Sequence, residues 1–351
     1  MRLKLHPCHL PLEHVFTISR GSKAVQPSLL VELEHNGVTG YGEAPDDTFY
    51  HQTLESLTEA VGSLAPILAD HEFESPQKLW ELVRTHLPGN YFALSCLDIA
   101  SHDLHGRLTG QPLHRTWGLE WENVPPSSYT IGIDDVPMMV EKLKERPNWP
   151  VYKIKLGTSN DIAIVNELRQ HTNATFRVDA NCGWTVEQTI ANSRKLKELG
   201  VEFIEQPMPR ETSRDDLVKV HANSALPLIA DENCLIETDV EKCHGVFHGI
   251  NVKLCKCGGL TPALRMLRHA KELGMKTMLG CMVESSVGIS AAAHLAPLLD
   301  YADLDGAVLI DKDPATGVKV ENGEIQLTGT PGSGAELIPD KIDELRAGSS
   351  A

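Results

Sequence analysis

Residues 175–183 read Thr-Phe-Arg-Val-Asp-Ala-Asn-Cys-Gly, residues 201–207 Val-Glu-Phe-Ile-Glu-Gln-Pro, and residues 226–232 Leu-Pro-Leu-Ile-Ala-Asp-Glu. Each is a short apolar run that closes on an acid. The acids Asp179, Glu205 and Asp231 stand 26 residues apart, as 205 is from 179 and 231 from 205. That spacing is about what one βα unit of a parallel barrel occupies, so three neighbouring strands are expected to carry carboxylates to one rim. Unpaired, such charges repel and raise one another's pKa; together they make an all-oxygen site for a hard divalent cation, with magnesium the first expectation.

Working outward, the run 151–156 reads Val-Tyr-Lys-Ile-Lys-Leu, and its alternation puts Lys153 and Lys155 on one face and Tyr152, Ile154 and Leu156 on the other. In a barrel strand the apolar face meets the helices, so both ammonium groups point inward. A third lysine, Lys253, closes the run 249–253 ahead of Gly258 and Gly259. The second and sixth strands lie on opposite sides of an eight-stranded barrel, which would place Lys155 and Lys253 on opposite faces of a ligand. Lys256 falls beyond the strand and reads as an exposed loop residue.

The remaining strand candidates are 128–133, 277–279 and 301–304, which with 151–156, 175–178, 201–204, 226–230 and 249–252 make eight runs separated by amphipathic segments. The fold class is therefore α/β, a TIM-type barrel over residues 125–306. Before it, residues 1–124 begin with strand-like runs at 2–6, 28–35 and 38–41, the last two joined by the hairpin signal Asn36-Gly37. From residue 54 to about 108 the spacing becomes helical, interrupted by Pro66, Pro76 and Pro88. That portion is an α+β unit, and the Gly- and Pro-punctuated tail after Gly306, about 307–351, is expected to return to it.

The 351 residues carry 48 acidic and 32 basic side chains, a formal charge of −16. This argues against nucleic acid and against anionic membrane as partners. No apolar stretch has bilayer-spanning length and the first residues lack a secretory signal, so a cytoplasmic location is expected. The eight cysteines show no paired framework and read as reduced thiols.

The chemistry follows from charge. A hydrogen beside a carboxylate is very weakly acidic and its removal leaves an enediolate, so the site must offer fixed positive charge. A lysine acts as base only once burial, a metal or a second ammonium such as Lys153 lowers its pKa.

These residues resemble the muconate-lactonizing subgroup of the enolase superfamily, and within it the dipeptide epimerases. The resemblance runs nearly end to end: Gly40-Tyr41-Gly42-Glu43-Ala44, Lys153-Ile154-Lys155, Asp179-Ala180-Asn181, Glu205-Gln206-Pro207, Ala230-Asp231-Glu232, Lys253 before Gly258-Gly259, and Glu284-Ser285. It implies a modified TIM barrel, (β/α)7β, with an α+β capping domain. It implies one magnesium ion on Asp179, Glu205 and Asp231, Lys155 and Lys253 as acid/base pair, and Lys153 as electrostatic support. Asp303-Leu304-Asp305 matches the Asp-x-Asp that in the family holds the free α-ammonium of a dipeptide; its bland alternative is a turn and helix cap before Gly306. Asn233 departs from the family's usual Ser.

Specificity in the family comes partly from a flexible capping-domain loop, here about residues 13–26. Arg20 or Lys23 would reach a glutamate side chain, as in L-Ala-D/L-Glu epimerases, which act on peptidoglycan-derived dipeptides; Phe16, Phe49 and Tyr50 would equally line an apolar pocket. The implied partner is a small dipeptide substrate, in a possible homo-oligomer. The alternative is a lyase of the same superfamily, an o-succinylbenzoate synthase or a cycloisomerase.

Overall fold

Asn36 and Gly37 both take positive φ, 52° and 76°, and turn the chain between two antiparallel strands as the Asn-Gly signal predicts. In the computed structural model, which describes residues 1–347, β2 (Gly21–His35) and β3 (Val38–Pro45) meet at that turn. β1 (Arg2–Ile18) pairs with the far edge of β2, giving the sheet order β1-β2-β3.

The segment 13–26, expected as a loop, forms the far end of a long β1–β2 hairpin. Phe16, Thr17 and Ile18 pair with Lys23, Ser22 and Gly21, and the register slips between Pro11 and Phe16. The β-branched and aromatic residues sustain the ladder, while the irregularity bends it.

The three prolines fall at helix starts or gaps. Helices span Leu54–Gly62, Ala65–Ala69, Pro76–His86 and Tyr91–Thr109, with Thr53, Ser75 and Asn90 capping three of them. Pro66 and Pro76 sit in first turns, where no backbone donor is needed, and Pro88 lies in the gap before Asn90. The helix Tyr91–Thr109 lies flat on the sheet. A Cβ at Gly40 or Gly42 of β3 would collide with the carbonyls of Ala100 and Cys96, so glycine permits the close approach.

Eight parallel strands follow: β4 (Tyr129–Ile131), β5 (Val151–Lys155), β6 (Thr175–Asp179), β7 (Val201–Glu205), β8 (Leu228–Ala230), β9 (Gly249–Val252), β10 (Lys276–Gly280) and β11 (Tyr301–Asp303). All eight predicted strands are present, with ends within two residues of expectation. They neighbour one another in chain order, and Ser128 N donates to Ala302 O at 3.1 Å to draw first and last together. Helices from Val136–Glu145 to Ser286–Ala293 fill the crossovers, and β11 is followed by a short 3-10 turn, Gly306–Leu309.

The outward faces of the strands and the helices form the main apolar core. A second, small cluster of Phe203, Ile229 and Met278, with Tyr301 against it, lies separately from that core. Each of Phe203, Ile229 and Tyr301 stands two residues before a rim acid, so this cluster is the interior layer beneath the rim. Arg177 shares the layer, its guanidinium 5.4 Å from the Phe203 ring and 4.9 Å from the Tyr301 ring, with Nη1 donating to Ala302 O at 3.1 Å.

Buried carboxylates join the sheet unit to the barrel. Asp98 accepts from Thr261 N and Oγ1, both at 2.7 Å, at the start of the helix Leu260–Glu272. Glu43 accepts from Ser28 Oγ, from Ser285 N and Oγ and from Gly288 N at the start of the helix Ser286–Ala293. Beyond Gly306, Ile310, Ala315, Ile342 and Leu345 share a cluster with Cys8, Leu10 and Leu30 of the first sheet. The eight cysteines are all free thiols, six of them buried. No helix among the described residues is long and apolar enough to cross a membrane.

Candidate active site

Strand register sets the rim. Lys155 of β5 stands opposite Asp179 of β6, and Asp179 opposite Glu205 of β7. Asp231 follows directly on β8, and carboxylate oxygens of Asp179, Glu205 and Asp231 lie within 4.8 Å of one another, all three side chains buried.

Three like charges this close must be compensated, and the lysines do it. Lys155 Nζ lies 2.7 Å from Asp179 Oδ2 and Lys253 Nζ 2.9 Å from Asp231 Oδ2. Lys153 Nζ meets three acids: Asp303 Oδ2 at 2.7 Å, Glu205 Oε2 at 2.8 Å and Asp179 Oδ2 at 3.5 Å. Lys256 departs from expectation. It is not an exposed loop residue but is buried, donating to Asp231 O at 2.8 Å and pairing with Asp231 Oδ1. The reason is the one-turn helix Leu254–Cys257, which swings Lys256 back under the β8 rim.

Burial opposes every one of these charges, and the neighbours decide the outcome. The Asp231 carboxyl is driven well below the usual range against its burial by Lys253 and Lys256. Glu205 is pushed up to about 7 by burial and by Asp179 beside it. For Lys153 and Lys253 the shift runs opposite to the expected lowering. Burial works against the charge on Lys153, yet Asp303, Glu205 and Asp179 hold its pKa far above normal, and Asp231 does the same for Lys253. The acids that pair with the lysines here are the same ones proposed to bind a metal.

A hard cation fits this donor set. Asn181 Oδ1 and Glu232 Oε2 are buried oxygens without a hydrogen-bond partner among the described residues, and Glu205 Oε2 meets only the Lys153 ammonium. Asp179 and Glu205 each also accept from an amide, Asn181 Nδ2 at 3.1 Å and Asn251 Nδ2 at 2.8 Å, which orients their carboxylates.

Asp303 and Asp305 lie on the opposite side of the mouth. Asp303 accepts from Ser128 Oγ at 2.6 Å as well as Lys153, and Asp305 Oδ2 accepts from Thr130 N at 2.6 Å. Asp305 stands at the N-cap position of the turn Gly306–Leu309, its carbonyl accepting from Val308 N at 2.8 Å, but its side chain makes no cap bond there. Burial and the neighbouring Asp303 push the Asp305 carboxyl up to about 7. Ser128 and Thr130 were missed as site residues, although their polar alternation in the run 128–133 was a usable signal.

The β1–β2 hairpin closes the mouth from above. Ser19 Oγ donates to Asn181 O at 3.1 Å and Ile133 N to Thr17 O at 2.8 Å. Arg20 Nη1 pairs with Glu232 Oε1 at 2.8 Å, its guanidinium 4.2 Å from the Phe49 ring. Lys23 Nζ donates to Gln26 Oε1 at 2.6 Å and has no acid within ion-pair distance among the described residues. Beneath the hairpin is a cavity of about 440 Å³, bounded by Lys153, Lys155, Lys253, Asp231, Asp303 and Asp305 below and by Phe16, Arg20, Lys23, Phe49 and Tyr50 above. The sequence-predicted residues thus surround one space, except that Asp179 and Glu205 lie just behind its wall.

The chain is 50% identical over 338 residues to the L-Ala-D/L-amino acid epimerase of Flavobacterium johnsoniae, which covers 96% of this chain and 100% of the relative. It is 40% identical over 343 residues to the L-Ala-D/L-Glu epimerase of Bacteroides thetaiotaomicron, covering 96% and 88%. The crystal structure of a dipeptide epimerase from Cytophaga hutchinsonii, complexed with Mg and the dipeptide D-Ala-L-Val, matches with a TM-score of 0.92 at 27% identity, over 98% of this chain and 97% of that one. Residues 4–118 match the mandelate racemase / muconate lactonizing enzyme N-terminal domain and residues 138–341 the enolase C-terminal domain-like family. With both regions matched, the chain belongs to the mandelate racemase and muconate lactonizing enzyme family of the enolase superfamily.

Proposed function

We propose that this chain is a dipeptide epimerase of the L-Ala-D/L-Glu type, inverting the α-carbon of the C-terminal residue by a two-base proton transfer. The observation that carries the reading is the placement of Lys155 and Lys253 at the ends of β5 and of β9, bounding one cavity from different sides. One lysine takes the α-proton and the other delivers a proton to the opposite face, so inversion needs no group to move around the substrate. Asp179, Glu205 and Asp231 would hold one magnesium ion, which when bound supplies positive charge against the carboxylate charge that develops. Lys153 adds a fixed ammonium to the same field.

Asp303 and Asp305 receive the free α-ammonium of the dipeptide. Asp305 has no ion-pair partner among the described residues, and an arriving ammonium would favour its charged form against burial and Asp303. This favours the epimerase over a lyase of the same fold, whose substrates carry no ammonium. For the second side chain, Lys23 is the better candidate for a glutamate carboxylate, since Arg20 is already paired with Glu232. The reading places the enzyme in the cytoplasm, acting on dipeptides released from peptidoglycan.

The test is incubation with magnesium and a set of L,L-dipeptides in deuterium oxide, read by mass. Deuterium at the α-carbon of the C-terminal residue, strongest for L-Ala-L-Glu, is the expected result. Incorporation into no dipeptide refutes the epimerase and restores the lyase.

A further inference from the structure

Asp231 is claimed by two lysines, and they are not equivalent. Lys253 Nζ lies 2.9 Å from Oδ2 and faces the cavity. Lys256 does not bound the cavity. Its ammonium is buried, takes Oδ1, and also donates to the Asp231 carbonyl at 2.8 Å and to the Cys234 carbonyl at 3.4 Å. All three acceptors belong to the loop that leaves β8, so one cation ties the backbone and the side chain of the same aspartate.

The segment carrying Lys256 is itself fixed. Gly258 ends the one-turn helix at φ 98°, and its carbonyl accepts from Trp80 Nε1 at 2.9 Å. Trp80 belongs to the capping helix Pro76–His86, so the position of Lys256 is referred to the capping unit and not only to the barrel. A lysine free to swing would serve as a diffuse counter-charge. A lysine held at three points selects one orientation of the carboxylate.

We propose that Lys256 is the positioning residue of Asp231: it holds Oδ1 and the carbonyl, leaving Oδ2 alone to face the cation site and Lys253. The inference rests on the reading of Asp179, Glu205 and Asp231 as a metal site. With Oδ1 and the carbonyl held by Lys256, Lys253 on Oδ2 stays available to the substrate.

The sign of one measurement separates positioning from charge. Removing a cation beside a metal site by electrostatics alone tightens divalent binding. Removing the group that orients a ligand weakens it, typically by about 10- to 100-fold. Mn2+ affinity is therefore measured by electron paramagnetic resonance for the wild-type protein, for Lys256→Met, and for Lys256→Gln, which keeps a donor for the carbonyls but loses the charge. Weakening by about tenfold or more in Lys256→Met, with Lys256→Gln between it and the wild type, is expected. Equal or tighter binding in Lys256→Met overturns the proposal, and if that variant does not fold, equal or tighter binding in Lys256→Gln does so. Wild-type protein that binds no Mn2+ refutes the metal site itself, a separate result. A second readout is α-hydrogen exchange from each stereoisomer: Lys256→Met is expected to slow the exchange that depends on Lys253 more than the exchange that depends on Lys155. Equal slowing of both overturns the link to Lys253.

Discussion

His294 ends the helix Ser286–Ala293 and is buried, its ring stacked on that of His114 with centroids 5.1 Å apart and planes inclined by 13°. Its Nε2 lies 3.2 Å from Ser333 O, an acceptor only, so that nitrogen carries the hydrogen. Its Nδ1 is then an acceptor, facing His114 Nδ1 at 2.9 Å and the His114 backbone N–H at 3.4 Å. A second proton on His294 would meet the His114 backbone N–H and would require His114 Nδ1 to give up its hydrogen. Accordingly burial, and after it the neighbouring His114, lower its pKa to about 3, although the Ser333 carbonyl favours the charged ring. The unfolded chain protonates the same side chain near the usual value of about 6.5. The folded state binds no proton where the unfolded state binds one, so stability is intact above about pH 6.5 and falls as pH drops from there toward 3. At about pH 5 the loss from His294 alone is about 2 kcal/mol. Burial and then Arg115 lower His114 as well, which acts in the same direction. Urea unfolding of the wild type and of His294→Gln at about pH 7.5 and about pH 5 isolates the effect, because every other titrating group is common to both proteins. The variant is expected to be less stable at the higher pH, yet to lose about 2 kcal/mol less on acidification. Equal losses in the two proteins refute the assignment of the acid sensitivity to this ring.

Lys155→Ala and Lys253→Ala should each abolish epimerisation, by about 100-fold or more, while leaving α-hydrogen exchange from one stereoisomer only; proton NMR in deuterium oxide reads both, and full activity in either variant ends the two-base scheme. Asp303→Asn should weaken dipeptide binding by about 10- to 100-fold and Mn2+ binding much less; N-acetylated dipeptides turned over as well as free ones would remove the ammonium role. Glu43→Ala should cost at least about 2 kcal/mol in urea unfolding, because Ser285 N–H, Gly288 N–H and Ser28 Oγ lose a buried acceptor. A change below about 0.5 kcal/mol would show that water replaces it.

The rim acids and the inward lysines were legible because a strand has period two and each βα unit repeats near the same length. Lys155, Asp179 and Glu205 needed only the right face and the right count. Lys256 broke that logic, since a one-turn helix of four residues shows no period, and its position depends on Trp80, far away in the chain. The hairpin at 13–26 is hard to read as strand for a related reason: its register slips between Pro11 and Phe16, so its pairing is not that of a uniform sheet. The joints were least legible of all. Glu43 is 242 residues from Ser285 and Asp98 is 163 from Thr261, and a buried carboxylate announces itself in sequence only as one more acid.

The interior of the barrel divides its work by height, and this explains why strands buried on both faces still alternate in polarity. Outward residues such as Tyr152, Ile154, Phe176 and Val178 join the apolar core with the helices, which stabilises the fold irrespective of what lies inside. Inside, Phe203, Ile229, Met278 and Tyr301 fill the lower layer together with Arg177, and the carboxylates and lysines of the rim stand above them. Burying so many ions costs several kcal/mol each, offset only where partners are close and well aimed. Lys153 with three carboxylates and Asp231 with two ammonium groups meet that condition. Arg177 connects the layers. Its guanidinium lies near the Phe203 and Tyr301 rings, and it donates to the Ala302 carbonyl that also accepts from Ser128 N. That carbonyl immediately precedes Asp303, so the acid of the proposed ammonium site is anchored from the layer below as well as by Ser128 and Lys153 beside it. The interior layer, separate from the outer core, is thereby the packing that fixes where the charges can stand.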